Sequence, residues 1–129
     1  MAKNGVDMTQ SQWVVDFYEK RNGERPAEEF LDRLTDEEAV RIDRKIGRLE
    51  ECGPDLRRPD ADHLRDKICE LRMRCRKVHV RLFYWRDGNR FILSHGIKKK
   101  TGKVPDSEID KAIAYREDYL AQRKEKAAG

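Results

Sequence analysis

The sequence predicts a small α+β domain in which helices pack on one side of an antiparallel sheet, in the order strand, helix, helix, strand, strand, strand, helix. Apolar residues recur at helical spacing between positions 39 and 52, and with strand alternation from position 68 onward. Asp87-Gly88 lies between two apolar runs, a strong signal for a tight hairpin. The 129 residues suffice for one modest core, so residues 1–129 are expected to form a single domain.

The first half of the chain predicts one strand and two helices. Residues 12–20 alternate so that at least one face is apolar. A proline opens a short helix over residues 26–34, because its missing N–H would have no partner there. Thr35 and Glu38 have the spacing of a capping box, which begins a longer helix that Gly53 ends. The apolar stripe of this longer helix consists of Ala39, Ile42, Ile46, Leu49 and Cys52.

The second half predicts a loop followed by three strands. Two prolines and three aspartates predict a loop over residues 54–63. Residues 68–76 alternate between an apolar face and a basic outer face, and residues 77–86 form a second such strand. The strand over residues 90–98 follows the hairpin turn, so the three strands form an antiparallel meander.

A lysine-rich loop over residues 98–103 leads to a final helix that opens at Pro105. The apolar stripe of this helix consists of Ile109, Ala112, Ile113 and Leu120. Both termini are expected to be flexible, and the tail over residues 123–129 is expected to fray.

The composition excludes several classes of protein. No apolar run approaches the roughly 20 residues that a membrane helix needs, and the first ten residues lack the apolar stretch of a signal peptide. A cytoplasmic location is therefore expected. Cys52, Cys69 and Cys75 form no C-x-x-C pair and are read as small core residues. The histidines lack ligand spacing and no glycine-rich phosphate loop is present, so neither a metal site nor a cofactor is expected.

The charges are unevenly distributed along the chain. The net charge is +4, yet residues 64–104 contain 13 lysines and arginines and only three acids. That window has a net charge of +10, whereas the rest of the chain has a net charge of −6. Such separation is typical of proteins that bind nucleic acids.

The basic window could support metal-free cleavage of RNA, which carries its own nucleophile in the 2′-hydroxyl. The protein must then align the 2′-oxygen, stabilise charge on the phosphate with lysine or arginine, and move protons. Residues of these types within the window are Arg72, Arg74, Arg81, Tyr84, His95, Lys98, Lys99, Lys100 and Lys103.

Four segments in order resemble a known family. They are Glu70-Leu71-Arg72, then Arg81-x-Phe83-Tyr84, then His95-Gly96-Ile97 with Lys99, Lys100, Lys103 and Pro105, and a helix with Ala112, Arg116, Asp118 and Tyr119. Their order and spacing are similar to those of the HigB-like, phage-derived branch of the RelE/ParE toxin superfamily. The resemblance spans about residues 12–123.

This resemblance implies the toxin of a type II toxin–antitoxin pair with the RelE-like fold. Such toxins cut mRNA on the translating ribosome without a metal or cofactor. The implied partners are mRNA, the ribosome and a cognate antitoxin of helix-turn-helix type, with no membrane. The helical hairpin and its acidic residues are the implied antitoxin contacts; these residues are Glu28, Glu29, Asp32, Asp36 and Glu37.

The candidate site residues fall into two groups. The expected catalytic residues are Arg72, Arg81, Lys99, Lys100, His95 and Tyr119. The expected contacts to RNA or the ribosome are Arg74, Arg76, Lys77, Lys98, Lys103 and Trp85.

Some of these residues have an equally simple structural interpretation. His95 shares its strand parity with apolar residues, which favours a core histidine, whereas His79 could equally face the site. Trp85 and Tyr119 could stack or move protons, or they could pack in the core.

Three functional alternatives stay open at this point. The same basic face could belong to a non-catalytic RNA- or ribosome-binding module. The chain could also be a ParE-like gyrase poison, or a phage accessory protein that has lost activity.

Overall fold

The computed structural model describes residues 12–100 and 102–129, and it has the α+β fold that the sequence predicts. The strands are β1 (Val14–Phe17), β2 (Ala61–Arg65), β3 (Ile68–Cys75), β4 (Val78–Asp87) and β5 (Arg90–Lys99). The helices are α1 (Pro26–Asp32), α2 (Asp36–Cys52) and α3 (Asp106–Ala128), with a 3-10 turn at Gly53–Asp55. The expected flexible N-terminus, residues 1–11, lies outside the described residues.

The five strands form one sheet in the order β1-β5-β4-β3-β2. Strands β3, β4 and β5 pair antiparallel, which confirms the predicted meander, and β2 adds a fourth antiparallel strand. Strand β1 pairs parallel to β5, with Val14 opposite Arg90 and Phe17 opposite Leu93. The first strand is therefore at one edge of the sheet, and β2 is at the other.

Strand β2 was not predicted, since the loop was expected to continue to residue 63. Ala61 lies opposite Leu71, and Asp62 lies opposite Glu70. A tight turn at Asp66, with φ of 55°, connects β2 to β3. Aspartate tolerates this left-handed conformation better than most residues, so the turn forms without glycine. The nearby prolines and aspartates obscured a strand that contributes few apolar residues.

Helices α1 and α2 pack on one face of the sheet. Their core includes Ala27, Ile42 and Leu49 from the helices and Leu82 and Tyr84 from β4. The capping box of α2 is present: the Glu38 N–H donates to Thr35 Oγ1 at 3.2 Å, and the Thr35 N–H donates to Glu38 Oε1 at 3.0 Å. The sequence thus predicted the start of α2 correctly.

Helix α3 packs on the opposite face, so the expectation of helices on one side of the sheet was wrong. Phe83, Trp85 and Ile92 of the sheet pack with Ile109 and Ala112 of α3. Both parities of β4 are apolar after residue 81, and each face therefore needs a helical cover. The tail that was expected to fray is helical as far as Ala128.

One glycine fixes the position of α1 on the sheet. A Cβ atom at Gly96 would lie 2.3 Å from the ring of Phe30, so any larger residue would displace that ring. Phe30 of α1 therefore rests directly on the backbone of β5, next to the start of the lysine run. No helix in residues 12–100 and 102–129 is long and apolar enough to span a membrane.

Candidate nucleic-acid interface

A basic groove lies along the edge of β3, beside α2. Its volume is about 530 Å³, which is within the range of about 300–1,000 Å³ that ligand sites occupy. Seven of the ten described residues that line it are arginine or lysine, so the groove favours an anion. The lining consists of Arg41, Arg44, Lys45, Arg48, Pro59, Arg72, Met73, Arg74, His79 and Arg81.

The strands place four of these side chains in two neighbouring rows. Arg72 lies opposite Arg81, and Arg74 lies opposite His79, across the β3–β4 ladder. Strand alternation puts all four on the side of the sheet that carries Phe83. The outer face predicted for residues 68–76 is therefore basic at Arg72 and Arg74, whereas α3 covers the other end of this side of the sheet.

A buried carboxylate holds the two arginines of the first row. Glu70 is 2% exposed; its Oε2 accepts a hydrogen bond from Arg72 at 3.0 Å, and its Oε1 lies 3.3 Å from Arg81 Nε. The latter contact is an ion pair without hydrogen-bond geometry. Burial raises the pKa of Glu70, and the nearby positive charges oppose that rise. Because one carboxylate pairs with two guanidiniums, Glu70, Arg72 and Arg81 together keep a net positive charge.

His79 is the histidine that lines the groove. Burial lowers its pKa below the ordinary value near 6.5, and the positive charges of Arg81, Arg74 and Arg72 lower it further. Its imidazole is therefore neutral at pH 7 and able to accept a proton.

Helix α2 supplies the opposite wall, which the candidate list missed. Arg41, Arg44, Lys45 and Arg48 follow one another at spacings of 3, 1 and 3, so they share a helix face. Arg48 Nε donates to Asp60 Oδ2 at 3.1 Å, and Lys45 also binds Asp60. This spacing can be seen in the sequence. However, a row of cations on one side of a helix is usually a solvated face, so it did not indicate a site.

The lysines of the predicted loop lie in different surroundings. Lys98 pairs with the buried Glu38 at 2.9 Å, whereas Lys99 lies opposite His79 in the β4–β5 ladder. Lys100 is exposed after the end of β5. Lys103 lines a second groove of about 430 Å³ that also contains Arg72 and Arg81.

The turn between β3 and β4 carries two further candidates, Arg76 and Lys77, and both are exposed. Arg76 has φ of 58° and donates to Glu37 Oε1 at 3.0 Å. This ion pair ties the turn to the start of α2 and lowers the pKa of Glu37.

Three candidates lie within or under α3, outside the described lining of the basic groove. His95 is 5% exposed; its ring stacks on Phe83, and its Nε2 lies 3.0 Å from Glu108 Oε1. Burial lowers the pKa of His95 to about 4. The structure therefore places it as a core histidine.

Trp85 lies farther along β4, and Tyr119 of α3 packs against it. Trp85 is 1% exposed, so its ring is not available to an RNA base. The hydroxyl of Tyr119 donates to Asp87 at 2.6 Å. Asp87 is six residues from Arg81, which corresponds to about 20 Å along a strand.

Among the described residues, no group of three or more His, Cys, Asp or Glu side chains could hold a metal ion.

The comparisons with known proteins identify a family. The model of the family described as Phage derived protein Gp49-like (DUF891) matches residues 29–117, which include α2, the sheet from β2 to β5 and the basic groove. No curated protein matches the chain.

Proposed function

Since the chain belongs to the phage-derived Gp49-like family, a toxin-type family related to RelE and HigB, we propose that it is the toxin of a type II toxin–antitoxin pair and cleaves mRNA on the ribosome. The observation that carries the proposal is the basic groove, in which seven cationic side chains surround one histidine of lowered pKa. The proposed partner is a cognate antitoxin of helix-turn-helix type, as the relationship to RelE and HigB implies.

The proposed substrate group is the phosphodiester of single-stranded RNA. Arg72 and Arg81 lie opposite each other and are held by Glu70, so their guanidiniums are positioned before the substrate arrives. Preorganised donors stabilise the charge that develops on the phosphate in the transition state, and one such donor contributes about 100- to 1,000-fold in rate. The two arginines are the proposed phosphate-binding residues.

His79 is the proposed base. A neutral imidazole at pH 7 can remove the proton from the 2′-hydroxyl, whose oxygen then attacks the neighbouring phosphorus and displaces the 5′-oxygen. The products are a 2′,3′-cyclic phosphate and a 5′-hydroxyl end. The leaving 5′-oxygen takes a proton from water, and the positive charge of Lys99, which lies opposite His79, stabilises that oxygen as it departs.

The first test is induction of the protein in growing bacteria, followed by mapping of mRNA 5′ ends. We expect new ends inside translated regions with the wild-type protein and a loss of about 100-fold with Arg72→Ala. Lys124→Ala removes an exposed cation of α3 that does not line the groove, and is the matched control. Thermal unfolding of each purified variant separates loss of cleavage from loss of folding.

Two other results would overturn the proposal in different ways. Intact mRNA with arrested growth would point to gyrase, which a supercoiling assay tests directly. Intact mRNA with normal growth would leave a binding module that lacks catalysis.

The proposed base predicts a pH dependence. His79→Gln is expected to lower the cleavage rate about 100-fold or more, because glutamine cannot accept the proton. In the wild type, the rate on isolated ribosomes should rise with pH through the lowered pKa of His79, below 6.5, and then level off. An unchanged acidic limb in His79→Gln would exclude His79 as the base.

A further inference from the structure

The two walls of the basic groove present their cations in different ways. On the wall formed by β3 and β4, the arginines are held by Glu70, which is 2% exposed. On the wall formed by α2, the side chains of Arg41, Arg44 and Arg48 are exposed. Arg41 Nη1 donates to the carbonyl oxygen of Arg74 at 3.4 Å, so the two walls adjoin. The groove therefore has a second, accessible cationic surface directly beside the proposed phosphate-binding row.

The α2 wall keeps a positive charge after its ion pairs are taken into account. Arg44 has no ion-pair partner among the residues that the structure describes. Lys45 and Arg48 share the single carboxylate of Asp60, so one of their two charges is not neutralised. Exposed cations in a row attract further anionic groups, and the successive phosphates of an RNA strand are such groups.

The described lining of the groove offers few side chains that could read a base. Its three residues that are neither arginine nor lysine are Pro59, Met73 and His79. This lining contains no phenylalanine, tyrosine or tryptophan ring for stacking, and no amide, hydroxyl or carboxylate that could bind a base edge. Arginine can bind the edge of guanine through two hydrogen bonds, so guanine is the base that a test must include.

We propose that the α2 wall binds the phosphates next to the cleaved one, so that a single strand of RNA lies in the groove with its backbone inward and its bases outward. The inference rests on the proposed function, because it takes RNA as the substrate. It adds Arg44 and Arg48 as binding residues that take no part in the chemistry. Because the bases point away from the groove, the protein accepts any sequence, and a preference for particular codons is left to the ribosome.

The first test measures the binding of the full chain to a labelled single strand of RNA at several salt concentrations. Arg44→Ala/Arg48→Ala should reduce the slope of log affinity against log salt by about 1.4, because each lost phosphate contact contributes about 0.7. Lys124→Ala/Lys126→Ala removes the same charge from the exposed end of α3 and should leave the slope unchanged. An unchanged slope in Arg44→Ala/Arg48→Ala, or an equal reduction in both variants, would exclude the α2 wall as a phosphate site.

The second test compares unstructured strands of equal length that differ at one central base. The wild-type protein should bind the strands with A, C, G or U within about twofold, since contacts to phosphate carry no sequence information. A base edge held by two hydrogen bonds would favour its base by about fivefold or more. A preference of that size, for guanine above all, would show that bases point into the groove and would overturn the proposed orientation.

A third measurement needs no substitution, so it cannot fail through misfolding. The bound strand should slow the modification of Arg44 by phenylglyoxal severalfold. Arg33, an exposed arginine at the end of α1 that does not line the groove, should react at an unchanged rate. Mass spectrometry of peptides distinguishes the two arginines within one sample, and equal slowing at both positions, or at neither, would overturn the inference.

Failure of the proposed function is a separate result. It is read from mRNA ends in cells, whereas these three tests need only binding to free RNA. Loss of the α2 wall as a phosphate site would leave cleavage on the ribosome standing, and intact mRNA in cells would leave the measured phosphate contacts standing.

Discussion

The side of the sheet that faces α3 has two ends with opposite properties. Near the start of β4, His79 and Arg81 lie in an open groove among cations. Farther along the same strand and face, Phe83 and Trp85 are buried under α3. The strand alternates in the same way at both ends, so the position of α3 decides which end is a surface and which is core.

The two histidines on this face show the same contrast. Both have a lowered pKa, and burial is the first cause in each case. His79 has three arginines as neighbours, whereas His95 is enclosed by Phe83, Tyr115 and Glu108. A neutral imidazole is therefore available to a ligand at one end and serves packing at the other.

The largest effect on stability is expected at the end of this face that α3 covers. Trp85→Ala should lower the free energy of unfolding by about 3–5 kcal/mol, because it leaves a cavity between β4 and α3. Urea unfolding followed by circular dichroism measures this loss, and Trp85→Phe should cost much less. A loss below about 1 kcal/mol for Trp85→Ala would show that α3 does not depend on this contact.

A somewhat smaller effect is expected from pH at His95. The unfolded chain binds the proton near pH 6.5, whereas the folded chain resists it until about pH 4, so folded stability should fall as pH decreases through this window. The full loss is roughly 3 kcal/mol, at about 1.4 kcal/mol for each pH unit. The Glu108 carboxylate opposes the effect, and Lys111 reinforces it.

His95→Gln should remove this part of the pH dependence. The check is urea unfolding at pH 7 and at pH 5 for both proteins, with His63→Gln, an exposed histidine on β2, as the matched control. If the wild type and His95→Gln lose the same stability between the two pH values, His95 is not the group that titrates.

The smallest effects are expected from two residues of the lysine run, Lys98 and Lys99, which should affect different properties. Lys98→Ala should cost about 1 kcal/mol or less of stability, because it removes a partly exposed partner of Glu38. Lys99→Ala should leave stability unchanged and weaken RNA binding, because Lys99 lies beside His79. Thermal unfolding and RNA titration of the two variants test this division, and the reverse pattern would contradict it.

The sequence predicted most of the fold because local signals are strong in this chain. The capping box at Thr35 and the Asp87-Gly88 hairpin each depend on a few neighbouring residues, and both are present. The packing of α3 on the second face of the sheet was missed, because the burial of both faces of β4 depends on where α3 docks. Periodicity reports that a face is apolar, and it does not report which helix covers it.

The candidate site was predicted in part for the same reason. Arg72, Arg74 and Arg81 lie together because alternation places them on one face and the register of β3 with β4 places Arg72 opposite Arg81; alternation can be seen in the sequence. The α2 wall could not be found in this way, since Arg44 and Arg48 reach the groove only through tertiary packing. His95 was predicted as a catalytic residue because of its chemistry, whereas its strand parity favoured the core position that the structure gives it.

The parallel pairing of β1 with β5 orders the events of synthesis. Asp16 binds Arg90, which lies 74 positions later in the chain, so β1 leaves the ribosome long before its partner strand exists. Until then Val15 and Phe17 have no sheet to join, and such long-range pairing forms late. A newly made chain therefore completes its sheet only after β5 has been made, long after β1 has left the ribosome.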